Sequence, residues 1–219
     1  QLSDPEELSS VKIRLSGLDL SEYPLLNEGR QVIRGDMIEI SKETTDLMKE
    51  QNYDLPYQGK GLKDFLAPTP FVQSDHHTVK YNAKKYVELE KTAFRLARYL
   101  TSNLYLTIKK MPVFQFNTSM DIFETHAGES NEHTVLFTSF ARAGGLPTRM
   151  VGGLVYLKGH FYYHTWPEIW LKQWVPVDPT MGQFPADVMH IRLMEGDIDE
   201  LASLGKIIGN IKIDIMGAL

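Results

Sequence analysis

Between Val11 and Ile40 the runs VKIRLSGLDL and RQVIRGDMIEI alternate apolar and polar residues, with the turn-rich SEYPLLNEG between them. A two-residue period of this kind predicts half-buried strands. The stretch DLPYQGKGLKDFLAPTPFVQSD that follows is rich in Pro and Gly and reads as a surface connector. From His77 to Leu106 the apolar positions change to helical spacing, with Ala83, Tyr86, Val87, Phe94, Ala97 and Leu100 on one broad stripe. One long helix is expected there. Thr118 and Asp121 have the spacing of a capping box for a short helix that AGE ends, and a further helix is expected to begin at or near Ser130. Its body, NEHTVLFTSFARA, runs into Gly144 and Gly145, and Pro147 prevents it from resuming. TRMVGGLVYL, FYYHTWPEIWL and QWVPVDPT then read as three strands of an antiparallel meander, and the tail GDIDELASLGKIIGNIKIDIM adds a helix and one more strand. The pattern therefore predicts an α+β fold in which a central helix packs on an antiparallel sheet. Residues 1–70 are expected to form an N-terminal β segment and connector packed on a core of residues 71–219.

The 219 residues, 42% hydrophobic and 23% charged, suffice for one substantial core. A formal charge of −5, with TIKKM near Lys109 as the densest basic cluster, argues against nucleic acid as the main partner. No apolar run is long enough to span a bilayer, so no membrane insertion is expected, and QLSDPEELSS lacks the features of a signal peptide. The absence of cysteine excludes disulfides and thiolate metal sites.

In chain order the candidate chemical groups are Ser130 at a helix N-terminus, His164 inside the second meander strand and Asp178 at the end of the third. Adjacent antiparallel strands can set His164 beside Asp178, so that the carboxylate orients the imidazole, and a helix crossing the sheet can bring Ser130 to the other ring nitrogen. Hydrogen bonds from His164 to both partners are the expected geometry. His76, His77, His126, His160 and His190 show no repeated ligand spacing with carboxylates, so no metal site and no cofactor are predicted.

The blocks GESNEHTVLFTSFARAGGLPTRMVGGLVY, YYHTWPEIWL and WVPVDPT resemble the three core blocks of the transglutaminase-like superfamily. In that family the first block reads Gly-x-Cys-x-x-His/Tyr and carries a nucleophilic cysteine. The second gives His in a His-x-Trp-x-Glu context, matched by His164, Trp166 and Glu168, and the third gives the Asp of Asp-Pro-Thr, matched by Asp178, Pro179 and Thr180. LAPTPFVQSD and GQFPADVMHIRLMEGD also resemble a bacterial, often exported branch, which implies a periplasmic or secreted location. The resemblance implies a papain-like, transglutaminase-like core and attack on a protein or peptide carboxamide, with Ser130, His164 and Asp178 as the catalytic positions. Hydrolysis and transamidation both remain open, and the acidic cluster that would bind calcium in some animal relatives is not evident.

Ser130 stands where the family has cysteine. A thiol there would gain from the helix N-terminus and from His164, whereas a hydroxyl gains far less. An introduced Cys-to-Ser change, a naturally degenerate enzyme and a working Ser-His-Asp hydrolase are the three readings, and a non-catalytic peptide-binding module is the alternative from another class. Trp166, on the strand face of His164, and His133, about one helical turn from Ser130, are the candidate substrate-binding side chains. Sheet filling and helix packing are their plainer roles. Glu168 is expected to be a structural acceptor.

Overall fold

The computed structural model describes residues 4–219. Its centre is helix α5 (Ser130–Ala143), buried almost throughout its length: Val135, Leu136, Phe137, Phe140 and Ala141 fill the core, and polar Thr134, Thr138, Ser139 and Arg142 are buried beside them. Helices α2 (His77–Glu90), α3 (Ala93–Thr107) and α4 (Ser119–Thr125) pack against it. A four-stranded antiparallel sheet, in the order β8 (Trp174–Pro176), β7 (His160–Trp170), β6 (Thr148–Leu157), β9 (His190–Glu195), also packs against it. The helices and the sheet bury a shared core that includes Leu96, Leu100, Phe137, Met150 and Ile169. This is the α+β arrangement the pattern predicts.

The stripe over residues 77–106 is two helices rather than one. Lys91 closes α2 with φ +60°, and the Thr92 hydroxyl accepts the Arg95 N–H to open α3. The connector crosses at this break, where Leu55 N–H donates to Lys91 O and Ala93 N–H to Tyr53 O. The hydrophobic stripe carries on through the break because both helices face the same core.

The second sheet has the antiparallel order β10 (Lys212–Ala218), β1 (Ser10–Ser16), β3 (Met37–Ser41), β2 (Gln31–Arg34). The run RQVIRGDMIEI is thus a hairpin, turning at Gly35 with φ +66°. Val11 opposes Ile40 and Ile13 opposes Ile38, and all four side chains are buried. The C-terminal strand completes this N-terminal sheet. The remaining short elements are α1 (Thr45–Glu50), the parallel two-residue pair β4 (Lys109–Lys110) and β5 (Ala127–Gly128), α6 (Ile198–Leu201) and α7 (Gly205–Ile208). Among the described residues no helix is long and apolar enough to cross a membrane.

Two glycines bear directly on the site. A Cβ on Gly153 of β6 would lie 1.9 Å from Ile191 O and 3.1 Å from the Trp166 ring, so this position lets β9 and the indole close over β6. A Cβ on Gly128 would run into the Glu132 side chain, whose Oε2 accepts the Glu129 N–H and caps α5.

Candidate active site

Ser130 is the first residue of α5, almost wholly buried, where the orphan N–H groups of the helix start leave positive potential. Its hydroxyl oxygen accepts the Thr165 N–H of β7 at 3.4 Å. Asn131 adds a second tie to the same strand, with Thr165 Oγ1 donating to Asn131 Oδ1 at 3.0 Å. The helix start is therefore fastened to the residue that follows His164.

His164 lies opposite Gly153 in the β6–β7 register, and its Nε2 is 2.7 Å from Asp178 Oδ2. Asp178 is fully buried in the turn after β8, and its Oδ1 accepts the N–H groups of Thr180 and Met181 at 2.7 and 3.0 Å. Burial alone would raise its pKa, but His164 and His190 outweigh it and hold the carboxyl well below the usual range. As an ionised acceptor, Asp178 requires His164 to donate from Nε2. In the serine-protease arrangement the carboxylate takes the Nδ1 proton; here the ring is turned the other way, and Nδ1 is the nitrogen left free for a nucleophile.

The expected pair of hydrogen bonds on His164 is only half present, because Ser130 makes none to the imidazole and is held by Thr165 instead. A sulfur on the same Cβ would be larger and reach further than the hydroxyl oxygen.

A cleft of about 800 Å³ opens onto Ser130 and His164 and is also lined by Tyr105, Lys110, Tyr156, Tyr162 and Tyr163. Burial pushes the Tyr163 phenol up to about 12, so it stays protonated, and its hydroxyl has no hydrogen-bond partner.

Two expected substrate-binding residues do not line this cleft. Trp166 does share the His164 face, stacking on that ring with centroids 6.2 Å apart, but Val151, Val155 and Met181 bury it to 1% exposure. His133 is fully buried and donates from Nδ1 to Glu129 O at 2.7 Å, and burial lowers its pKa and keeps it neutral. Trp166 lies as a platform beneath the imidazole, and His133 packs within α5.

Glu168 is a buried acceptor, bound by Arg149 Nε at 2.8 Å and Arg192 Nη1 at 2.7 Å. The feature that the sequence hid is His190, which opens β9, with Nε2 2.9 Å from Asp178 Oδ2 and Nδ1 2.9 Å from Asp187 Oδ1. HIRLME does alternate, but its apolar neighbours ADVM make the whole stretch look like loop and turn.

Ring nitrogens of His164 and His190 and a carboxylate oxygen of Asp178 lie within 4.8 Å of one another, which is a possible donor set for a divalent ion. The 2.7 and 2.9 Å separations are hydrogen-bond lengths with the carboxylate between the rings, so an ion would have to displace both protons.

Comparison with known proteins agrees with this architecture. Residues 77–179 match the sequence profile of the Transglutaminase-like superfamily. A solved structure described as a candidate cysteine protease from Cytophaga hutchinsonii superposes with a TM-score of 0.57 at 11% identity, covering 96% of this chain and 86% of that one. The periplasmic domain of TgpA from Pseudomonas aeruginosa, solved bound to ethylmercury, is similar at 15% identity and a TM-score of 0.44, covering 75% of this chain and 67% of that one. Comparison with curated proteins finds no match. The three motif blocks lie on one helix and one meander, and the match to the Transglutaminase-like superfamily over residues 77–179 takes in Ser130, His164 and Asp178.

Proposed function

We propose that the site is built for acyl transfer from a protein or peptide carboxamide through a nucleophile at position 130, and that serine at that position leaves this chain inactive or weakened. The observation that carries the reading is the orientation of His164: with Nε2 committed to a buried carboxylate, Nδ1 is the basic nitrogen on the nucleophile's side. In the full reaction the atom at position 130 attacks the carbonyl carbon while His164 Nδ1 takes its proton. The imidazolium then returns that proton to the departing nitrogen as the C–N bond breaks, leaving an acyl-enzyme. Water or an amine, deprotonated by the same nitrogen, resolves it to acid or new amide. N–H groups at the start of α5 face the developing oxyanion. Exposed Met111, Phe114 and Phe116 follow cleft-lining Lys110, which suits a polypeptide better than a small amide. The resemblance to exported bacterial proteins supports work in the periplasm or outside the cell, which fractionation of the native host would check.

One observation favours a second reading, a non-catalytic peptide-binding module: the Ser130 hydroxyl is engaged by Thr165 rather than by His164. Introducing Ser130→Cys separates the two. A functional site lowers the thiol pKa from about 8.5 towards neutrality or below, so iodoacetamide should label the variant far faster than a model thiol at pH 7, while the serine chain stays inert towards peptides. Labelling no faster than the model thiol in a folded variant would leave the binding module. Robust turnover by the serine chain, lost in His164→Ala, would instead make it a Ser-His-Asp hydrolase.

A further inference from the structure

His190 is not among the residues that acyl transfer requires, yet both of its ring nitrogens are engaged. Its two nitrogens point at two carboxylates, Asp178 Oδ2 and Asp187 Oδ1, each 2.9 Å away. Asp187 is itself built in: it accepts Gln183 Nε2 at 3.0 Å on Oδ2 and the Met189 N–H at 2.9 Å on Oδ1. A neutral imidazole has one N–H and would turn a lone pair towards one of the two carboxylates, so only the doubly protonated ring satisfies both. Packing leaves the ring no other orientation, since it is 2% exposed and lies edge-on to Trp166, with centroids 5.1 Å apart.

We propose that His190 is a positioning residue, an imidazolium wedged between Asp178 and Asp187 that acts on His164 through their shared carboxylate. Two effects follow from the geometry. The first is orientational: Asp178 Oδ2 is shared between the two rings while Oδ1 is saturated by backbone N–H groups, so the carboxylate cannot rotate and His164 is locked as the Nε2–H tautomer. The second is electrostatic. A positive charge next to Asp178 offsets part of the negative field that the buried carboxylate sets up at His164. The direction of the ionisation agrees: burial would lower the His190 pKa, but the bonds to Asp178 and Asp187 outweigh it and raise it to about 9.

The other charged or titratable groups around the pair are few. His133 of α5 is neutral, and Lys110 of β4 sits at the cleft. Arg30, from the segment before β2, spans the carbonyls of Ala186 and Asp187 at 2.9 Å each and pairs with Glu43.

The catalytic meaning of this inference rests on the acyl-transfer reading, but its test does not. Nitrogen-resolved NMR of the histidine rings in the serine chain reports protonation and tautomer without turnover. His190 should show two protonated nitrogens through neutral pH, and His164 should show the Nε2–H tautomer. In His190→Gln the His164 ring should lose its single tautomer and show both the Nε2–H and the Nδ1–H forms. In Asp187→Asn, which keeps the ring and its packing but removes the need for its second proton, the same loss should be present but smaller. The second variant decides the matter if the first does not fold. A neutral His190 at pH 7, or a His164 tautomer unchanged in a folded variant, would overturn the proposal. So would micromolar zinc binding that removes both ring protons, because the cluster would then be a metal site. A thiol at position 130 that fails to react, with the NMR pattern as expected, would sink the acyl-transfer reading and leave the wedge standing.

Discussion

Strands β6, β7 and β9 carry two buried polar clusters side by side, and they solve the same electrostatic problem differently. In one, the Glu168 carboxylate is bound by Arg149 and Arg192, while Arg149 is further neutralised by Glu28 and Glu195 and lies over the Trp174 ring, 4.6 Å from its centre. Arg192 spends its other donors on Leu25 O and Glu28 O. Every guanidinium nitrogen there has an acceptor. In the other, His164, Asp178, His190 and Asp187 form a hydrogen-bonded chain whose two ends, His164 and Asp187, both border the cleft. The first cluster is a lock between the sheet and the N-terminal segment. The second keeps one nitrogen uncommitted, which is what chemistry needs.

The largest effect that can test this contrast comes from Glu168→Gln. Removing the one fully buried negative charge leaves Arg192 and Arg149 with only the part-exposed Glu28 and Glu195 as charged partners, and breaking a buried pair this way costs about 3–5 kcal/mol. Urea unfolding should show that loss, while the labelling rate of Ser130→Cys, measured on the folded fraction, should not change. A loss under about 1 kcal/mol would mean that the arginines find other partners and that the lock is not one.

The second effect is a pH dependence confined to the proton-bearing cluster. His190 has an ordinary value of 6.5 and a folded value of about 9, so folding binds its proton more tightly. Its contribution is complete below about 6.5 and disappears as pH rises through about 9, and for a difference of this size it is worth roughly 3 kcal/mol. Asp178 and Asp187 have the opposite sign: both are held low despite burial, so their contribution is present at neutral pH and lost on acidification below the usual carboxylate range. Stability from this cluster should therefore be greatest between about pH 5 and 6.5 and decline above that. Denaturation midpoints from pH 7 to 10 should fall in the parent and stay nearly level in His190→Gln. A parallel fall in both would assign the slope to other groups.

How much of this could be read in the sequence divides along the same line. Ser130, His164 and Asp178 were legible because each sits where a local pattern fixes its element: a helix start after Gly-x, a strand interior, and Asp-Pro-Thr at a strand's end. The capping box at Thr118 and the meander were legible for the same reason. Local pattern could not reveal that His190 meets Asp178, because the contact depends on β9 pairing with β6 through an irregular register near Gly152 and Gly153. Nor could it show that Trp166 is roofed over, since alternation gives the face of a side chain and not what covers that face. The break at Lys91 was hidden by the continuity of the apolar stripe. Thr92, a good N-cap followed by AFRL, was the available signal.

The smallest effect concerns how α5 is held against β7, and it sharpens the contrast by asking how much precision the proton-bearing cluster demands of its surroundings. Thr165 touches the helix start twice, through its N–H to Ser130 and its hydroxyl to Asn131. Thr165→Val keeps the backbone contact and the shape but deletes the hydroxyl, leaving Asn131 Oδ1 without that partner. The stability cost should be about 0.5–1.5 kcal/mol, the worth of one such hydrogen bond. Reactivity should respond more than stability, because position 130 and the imidazole belong to different elements and this contact sets their separation. In a Ser130→Cys background, Thr165→Val should slow iodoacetamide labelling by roughly 3- to 10-fold, well short of the loss that a full 1 Å misplacement brings. An unchanged rate with the stability cost as stated would show that the backbone hydrogen bond and the packing of α5 position the nucleophile unaided, without the Thr165–Asn131 contact.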